Sequence, residues 1–311
     1  MRIGVIGHLC LDVVHLPDGS GNERLSESYG GIFWAVATLA NLLSSGDVVY
    51  PVFGIGTNEF DRVINRLDRY KNVDTTGIFK MNGPTNHVHL FYTKDGSRRV
   101  ECSKDISGPI PFSRMEHLTD VDGILINMIS GFDITLETLN KIRTESLRQN
   151  VPVHFDFHTL SLGIDNEHKR FRRPVVDWRI WCAGINSVQM SEEEAAGLTP
   201  EHFGEHSLAS AVLSENCHAM IVTRDRRGGT LFQKNGNRLV KHEFHGIETE
   251  AQDPTGCGDV FGAAYLFEFL KNRNHIQAAE FANRVAAAKT RFVGVDGLDR
   301  VNEFLTPRVS A

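Results

Sequence analysis

The stretch DPTGCGDVFGAAYLFEFL, from Asp253 to Leu270, groups residue types that could handle a negatively charged ligand. Gly256 and Gly258 let the backbone turn sharply with its amides pointing one way, and Phe261, Ala264, Tyr265 and Phe267 then follow at helical spacing. A turn of this kind at a helix N-terminus is an anion site. Asp259 gains from the helix dipole there, yet it would also lie beside a bound phosphate, which electrostatics disfavours. A chemical task reconciles the two: the amides hold the charge that grows on a transferring phosphoryl group, and Asp259 takes the proton of an attacking hydroxyl. The plain alternative is a Gly-rich turn with Asp259 as an ordinary first-turn residue. Neither GxxxxGK[ST] nor GxGxxG occurs in the chain, which disfavours a Walker ATPase and a Rossmann dehydrogenase.

The elements that must position these residues are legible in the apolar pattern. RIGVIG (Arg2 to Gly7), GILINM (Gly123 to Met128), VPVHFDF (Val151 to Phe157) and HAMIVT (His218 to Thr223) are short, nearly continuous apolar runs, as buried parallel strands are. Helical patterns lie between them at Ile32 to Leu43, Glu59 to Tyr70, Ile134 to Arg148 and Leu208 to Ser214, with two more after Asp259. The alternation predicts one α/β domain over residues 1–311, its sheet covered on both faces. Thr85 to Ser103 instead alternates in strand fashion around a DG turn, which predicts a hairpin. With the strand near Asp12 it forms either a small lid sheet, around 12–29 and 85–103, or an edge hairpin of the main sheet.

With 311 residues, 41% hydrophobic and 23% charged, the chain has the composition of a well-packed globular protein. A net charge of -6 argues against nucleic-acid or anionic-membrane partners, and HKRFRR (His168 to Arg173) reads as a solvated helix face or loop. Five scattered cysteines without CxxC spacing indicate neither a disulfide framework nor a zinc site, so reduced thiols and a cytoplasmic location are expected. The start MRIGVIG shows no signal-peptide pattern, and no apolar run approaches the ~20 residues of a membrane span.

The sequence resembles the ribokinase-like (PfkB) family of sugar and nucleoside kinases, whose late signature stands here as DPTGCGDVF (Asp253 to Phe261). GHLCLD, GGIFWAVATLA, GIGTNEFD, DGSRR, SGFD, SEEEA and VTRDRRGG occur ahead of it in family order. The resemblance implies a three-layer α/β/α fold with a mostly parallel sheet and a β lid, and transfer of the ATP γ-phosphate to a hydroxymethyl group. It implies Asp259 as catalytic base, the backbone of Gly256, Cys257 and Gly258 as anion hole, and Asp12, Gly30 and Gly31 at the substrate hydroxyls. Thr223, Asp225, Gly228 and Asn283 would face the nucleotide. Glu194 would organise Mg²⁺, and Asp253 would lie beside a monovalent cation such as K⁺; whether two copies form a homodimer through the lid is left open by the sequence. Ser191 with Glu194 also spells a helix capping box, and both roles can hold together.

Three positions depart from the family pattern. Ala35 stands where a sugar-binding Asn is common, Ser191 replaces the Asn of Asn-x-x-Glu, and Asp225 replaces a glycine, its charge offset by Arg224, Arg226 and Arg227. Trp34 is either core packing or a stacking wall. Cys257 at a helix N-terminus could be an acidic, reactive thiol, although nothing else in the sequence supports it. The departures leave open a sugar kinase, a nucleoside kinase, or a nucleotide- or sugar-binding regulatory module without turnover.

Overall fold

The computed structural model describes residues 1–17, 23–92, 99–201, 203–236 and 238–305. The chain begins with β1 (Arg2–Ile6), departs into β2 (Leu9–Pro17) and β3 (Glu23–Gly31), and returns through α1 (Ile32–Leu42), β4 (Val48–Gly56), α2 (Phe60–Leu67) and β5 (Ile78–Met81). A second excursion, β6 (Asn86–Tyr92) and β7 (Arg99–Lys104), precedes β8 (Gly123–Asn127), α3 (Leu136–Gln149) and β9 (Val153–Asp156). There follow a short pair, β10 (Leu162–Ile164) and β11 (Arg170–Arg172), then α4 (Trp178–Cys182), β12 (Ser187–Ser191), α5 (Glu192–Gly197), α6 (Glu205–Ser214) and β13 (Ala219–Thr223). The antiparallel β14 (Gly228–Asn235) and β15 (Arg238–His245) lead to α7 (Cys257–Asn272) and α8 (His275–Lys289).

Nine strands form the central sheet in the order β15-β14-β13-β12-β9-β8-β1-β4-β5. From β13 to β5 every neighbouring pair is parallel, and β14 and β15 add antiparallel edge strands. This is the α/β/α layering of the ribokinase-like fold. One core packs α1, α7 and α8 on one face of the sheet, through Phe33, Val36, Ala264 and Ala282. The other packs α3, α4 and α6 on the opposite face, through Leu139, Trp181 and Val212. Helix α7 buries residues on nearly all sides because it is held between the sheet and its neighbouring helices, which is why its pattern is apolar all round. Local signals set the helix ends: Thr135 caps α3 by accepting from Thr138 N, and Asn150 closes it at φ 55.

The two excursions meet in a separate four-stranded sheet, β3-β2-β6-β7, in which β2 runs parallel to β6 and Asp12 lies in register with Ser28 and Val88. The DG turn of the expected hairpin, and all of DGSRR except Arg99, fall outside the described residues. At the root of this sheet Asp133 is fully buried and accepts from the amides of His8 (2.6 Å), Ser130 (2.9 Å) and Gly131 (3.1 Å). That carboxylate ties SGFD to GHLCLD. The run HKRFRR is exposed at His168, Lys169, Phe171 and Arg172, as its charge suggests, but it is neither a helix nor wholly a loop. It contributes β11, where Arg170 is buried and donates to Ser103 Oγ and Ser130 O, both 2.8 Å, bridging the two sheets. Among the described residues no helix is long and apolar enough to cross a membrane, and the five cysteines are unpaired.

Candidate active site

A cleft of about 460 Å³ runs between the small sheet and the carboxyl ends of the parallel strands, where ligands of open α/β sheets bind. Four of the parallel strands carry, at or near their carboxyl ends, polar residues that face it or support a residue that does: Asn127 on β8, Asp156 on β9, Gln189 and Ser191 on β12, Thr223 on β13. Helix α7 starts at the same place. Gly256, at φ 77, lies so close to the indole of Trp34 that a Cβ would overlap the ring. The aromatic core of α1 thus sets the turn that begins α7, and a side chain at position 256 would push that turn away.

Asp259, in the first turn of α7, is buried and accepts from Asn127 Nδ2 at 2.7 Å. His158 Nε2 lies 3.6 Å from the same Asp259 oxygen. Burial raises the Asp259 carboxyl above its ordinary range, while the His158 charge and the Asn127 hydrogen bond pull it back down. For His158 itself desolvation lowers the pKa, but Asp259, Asp156 and Glu194 together outweigh it and raise the imidazole to about 8. His158 holds this place at φ 38, its amide donating to Asp156 Oδ1 at 3.3 Å. A histidine in that backbone region is uncommon, and such outliers gather at functional sites. Gln189 fixes the neighbourhood by donating to Gly258 O (2.9 Å) and to Asp156 Oδ2 (3.3 Å).

Asp12 faces the cleft from the small sheet, and burial raises its carboxyl to about 7 although the Cys10 thiol donates to it at 3.2 Å. Gly30 is glycine because a Cβ there would overlap the Asp12 carboxylate. Gly31, at φ 60, turns β3 directly into α1, and a Cβ would press on His8 O at 2.7 Å. Cys10, Val88, Leu90 and Glu101 line this part of the cleft with Asp12.

The residues expected at the nucleotide are together at the other end of the cleft. Thr223 lies in register with Ser191, Gly228 (φ 91) turns β14 back where a Cβ would overlap Phe244 O, and Asn283 donates to His245 O at 2.8 Å. Asp225 takes φ 47, a left-handed conformation that suits the glycine it replaces. Two of the three arginines expected to offset its charge are committed elsewhere. Arg224 pairs with Glu192 and Glu205, and Arg227 pairs with Glu192, so both guanidinium groups are already engaged.

Other expectations also change. The Cys257 amide donates to Pro254 O at 3.2 Å, leaving Gly256 and Gly258 as the members of the three-residue anion hole not tied in that way. The Cys257 thiol is not acidic, because burial pushes it up to about 11. Trp34 belongs to the core, only 2% exposed, and Ala35 is fully buried beside it. Ser191 and Glu194 complete a capping box: Ser191 N donates to Glu194 Oε2 (2.7 Å) and Glu194 N to Ser191 Oγ (3.2 Å). Glu194 nevertheless lines the cleft, its carboxyl raised by burial. Both Asp253 oxygens are taken by protein donors, Oδ1 by Thr255 N and Oδ2 by Lys289 Nζ and Gly294 N.

Sequence reasoning missed Asn127, Asp156, His158 and Gln189. Their signal was a polar residue interrupting or ending an apolar run, as in GILIN and VHFDFH, which burial alone does not explain.

Residues 176–298 match the pfkB family carbohydrate kinases. Over 276 residues the chain is 25% identical to a cytidine kinase of Thermococcus kodakarensis, covering 86% of this chain and 88% of that one. It is also 25% identical over 281 residues to the bifunctional protein HldE of Helicobacter acinonychis, covering 85% of this chain but 55% of the relative, so it spans about half of that protein. Among solved structures it is similar to ribokinase from Thermotoga maritima, with a TM-score of 0.75, 20% identity, and coverage of 98% of this chain and 99% of that one. A pyrophosphate-dependent kinase of the ribokinase family gives a TM-score of 0.74 at 18% identity, covering 94% and 96%.

Proposed function

Because the chain carries a pfkB-family carbohydrate kinase match over residues 176–298 within a ribokinase-like fold, we propose that it is an ATP-dependent phosphotransferase whose acceptor is a hydroxymethyl group of a sugar or sugar-like molecule. The observation that carries this reading is the buried Asp259 at the start of α7, held by Asn127 and faced by His158, beside a glycine turn at the cleft floor.

In this reading Asp12 orients the acceptor by taking hydrogen bonds from its hydroxyls. Asp259 receives the proton of the attacking hydroxyl, the new oxygen–phosphorus bond forms, the bond to the leaving ADP oxygen breaks, and ADP carries away the electron pair. First-turn amides of α7, which have no carbonyl four residues back inside the helix, hold the charge on the phosphoryl oxygens. His158, as a cation, keeps Asp259 ionised and adds positive charge beside the transfer. Among the described residues no group of three or more His, Cys, Asp and Glu is placed to hold a metal ion, so the protein would supply only one or two carboxylates to a hard divalent cation, as Mg²⁺ bound with phosphates and waters requires. Asp156 and Glu194 would hold Mg²⁺, which would neutralise charge on the donor phosphates.

Nucleotide binding at Thr223, Gly228 and Asn283, and pairing of two copies through the outer face of the lid sheet, where Leu25 and Val100 are exposed, are further parts of this reading. The cytidine kinase relative supports including nucleosides among the acceptors. The test is phosphoryl transfer across a panel of sugars, polyols and nucleosides, with ATP and with pyrophosphate as donors. Nucleotide binding without transfer to any acceptor would favour a regulatory module.

A further inference from the structure

The surroundings of Asp253 do not fit a bound monovalent cation, because the chain places a cation of its own there. Lys289, in the last turn of α8, is fully buried. Its Nζ donates to Asp253 O at 2.8 Å and to Asp253 Oδ2 at 3.2 Å, and it lies 4.4 Å from the centroid of the Trp34 ring. An ammonium has three protons, and here they meet a carbonyl, a carboxylate and an aromatic face. A free ion at Asp253 would need the same carbonyl and carboxylate oxygens.

A buried ion pair is weak evidence of stability, since desolvation cancels much of its attraction. The position of this one supplies a different reason. The Trp34 ring that receives the ammonium is also the surface against which Gly256 packs, and Asp253 begins the turn that ends at Gly256. Charge, ring and turn are therefore in continuous contact from α8 to Gly256, the N-cap of α7. The charge of Lys289 also reaches Cys257 and Asp259, opposing in each the larger rise that burial causes.

We propose that Lys289 is a built-in replacement for a monovalent cation: it holds the turn from Asp253 to Gly256 in its anion-binding shape, so this protein works without potassium. A tethered ammonium has the single charge of K⁺ and similar oxygen preferences, but its occupancy does not depend on ion concentration. Lys289 is a positioning residue in this scheme, acting through Asp253 and Trp34. The transfer part rests on the kinase reading, whereas the structural part does not.

The experiment compares thermal melting and binding of a non-hydrolysable ATP analogue in KCl and in choline chloride at equal ionic strength. Wild-type protein is expected to melt at the same temperature, and to bind the analogue equally well, in both salts. Lys289→Ala leaves the Asp253 charge unpaired and opens a space. It should melt roughly 5–10 °C lower in choline chloride, with K⁺ or methylammonium restoring most of the loss. Lys289→Met fills the space without the charge, and its weaker analogue binding should not recover with K⁺. A wild-type melting temperature or analogue affinity that rises with K⁺, the latter by about fivefold or more, would overturn the proposal by revealing a true ion site. So would a Lys289→Met protein that matches wild type in both measurements. The wild-type comparison decides the matter if neither variant folds. The melting arm also stands if no acceptor is ever phosphorylated, so failure of the kinase reading is told apart from failure of this one.

Discussion

Replacing His158 by Gln removes one positive charge beside Asp259 and keeps a polar side chain of similar reach. At the observed separation of 3.6 Å the interaction of two unit charges is about 4–5 kcal/mol at an effective dielectric of ~20, or roughly three pKa units. The imidazole is about a third exposed, so water screening reduces the expected shift to roughly one to two units. The sign follows from the base role: Asp259 works ionised, His158⁺ favours that ionised form, and its loss raises the Asp259 pKa. The assay is the pH dependence of kcat/KM, which reports groups of the free enzyme. Wild type should show an acidic side to which Asp259 and, near 7, Asp12 both contribute, and an alkaline limb near pH 8, where His158 loses its proton. The Asp259 limb is isolated by comparing His158→Gln with wild type in the Asp12→Asn background. The His158→Gln profile should have its acidic limb moved up by roughly one to two units and no limb near 8, so that activity lost at neutral pH returns in alkali. An unmoved acidic limb with the alkaline limb still present would refute the coupling, whatever the change in absolute rate.

Asp259→Asn keeps the shape of the helix start but removes the basicity, so single-turnover transfer should fall by ~10²–10⁴ while calorimetric ATP affinity is retained or slightly improved. Near-normal transfer would end the proposed mechanism. Glu194→Gln should leave the melting temperature nearly unchanged, because glutamine also completes a capping box, yet raise the magnesium concentration needed for half-maximal transfer. An unchanged magnesium dependence would assign Glu194 to the cap alone. Burial sets the Asp12 carboxyl at about 7, so it is neutral below that pH and accepts from hydroxyls best above it. The KM of the acceptor should therefore fall as pH rises through 7. Asp12→Asn should flatten that dependence and raise KM by roughly 10-fold or more, as loss of a hydrogen bond to a charged group does.

The sequence by itself determined the alternating α/β order, the glycine turn before α7, and the strands near Asp12 and over 85–103, because these are local properties, whereas only the fold decided that those strands form a separate sheet rather than an edge of the main one. Apolar runs, helical periodicity and φ-permissive residues are each read within a few neighbours. Asp259 was legible for the same reason, standing next to the glycines that give it meaning. His158, Asn127 and Gln189 were not legible, since each is a single polar residue in or after an apolar run. Only the parallel sheet, by aligning the carboxyl ends of β8, β9 and β12, brings them to Asp259 from positions 70 to 132 residues away in sequence. Tertiary contact also reversed local expectations. Arg170 looked solvated but is buried between two sheets, and Arg224 and Arg227 are engaged by Glu192 and Glu205 rather than by Asp225. The same holds for Lys289, an ordinary last-turn lysine in sequence. Only packing takes it out of water and sets its charge against Asp253 and Trp34, because the electrostatic worth of a charged group depends on its surroundings and not on its type.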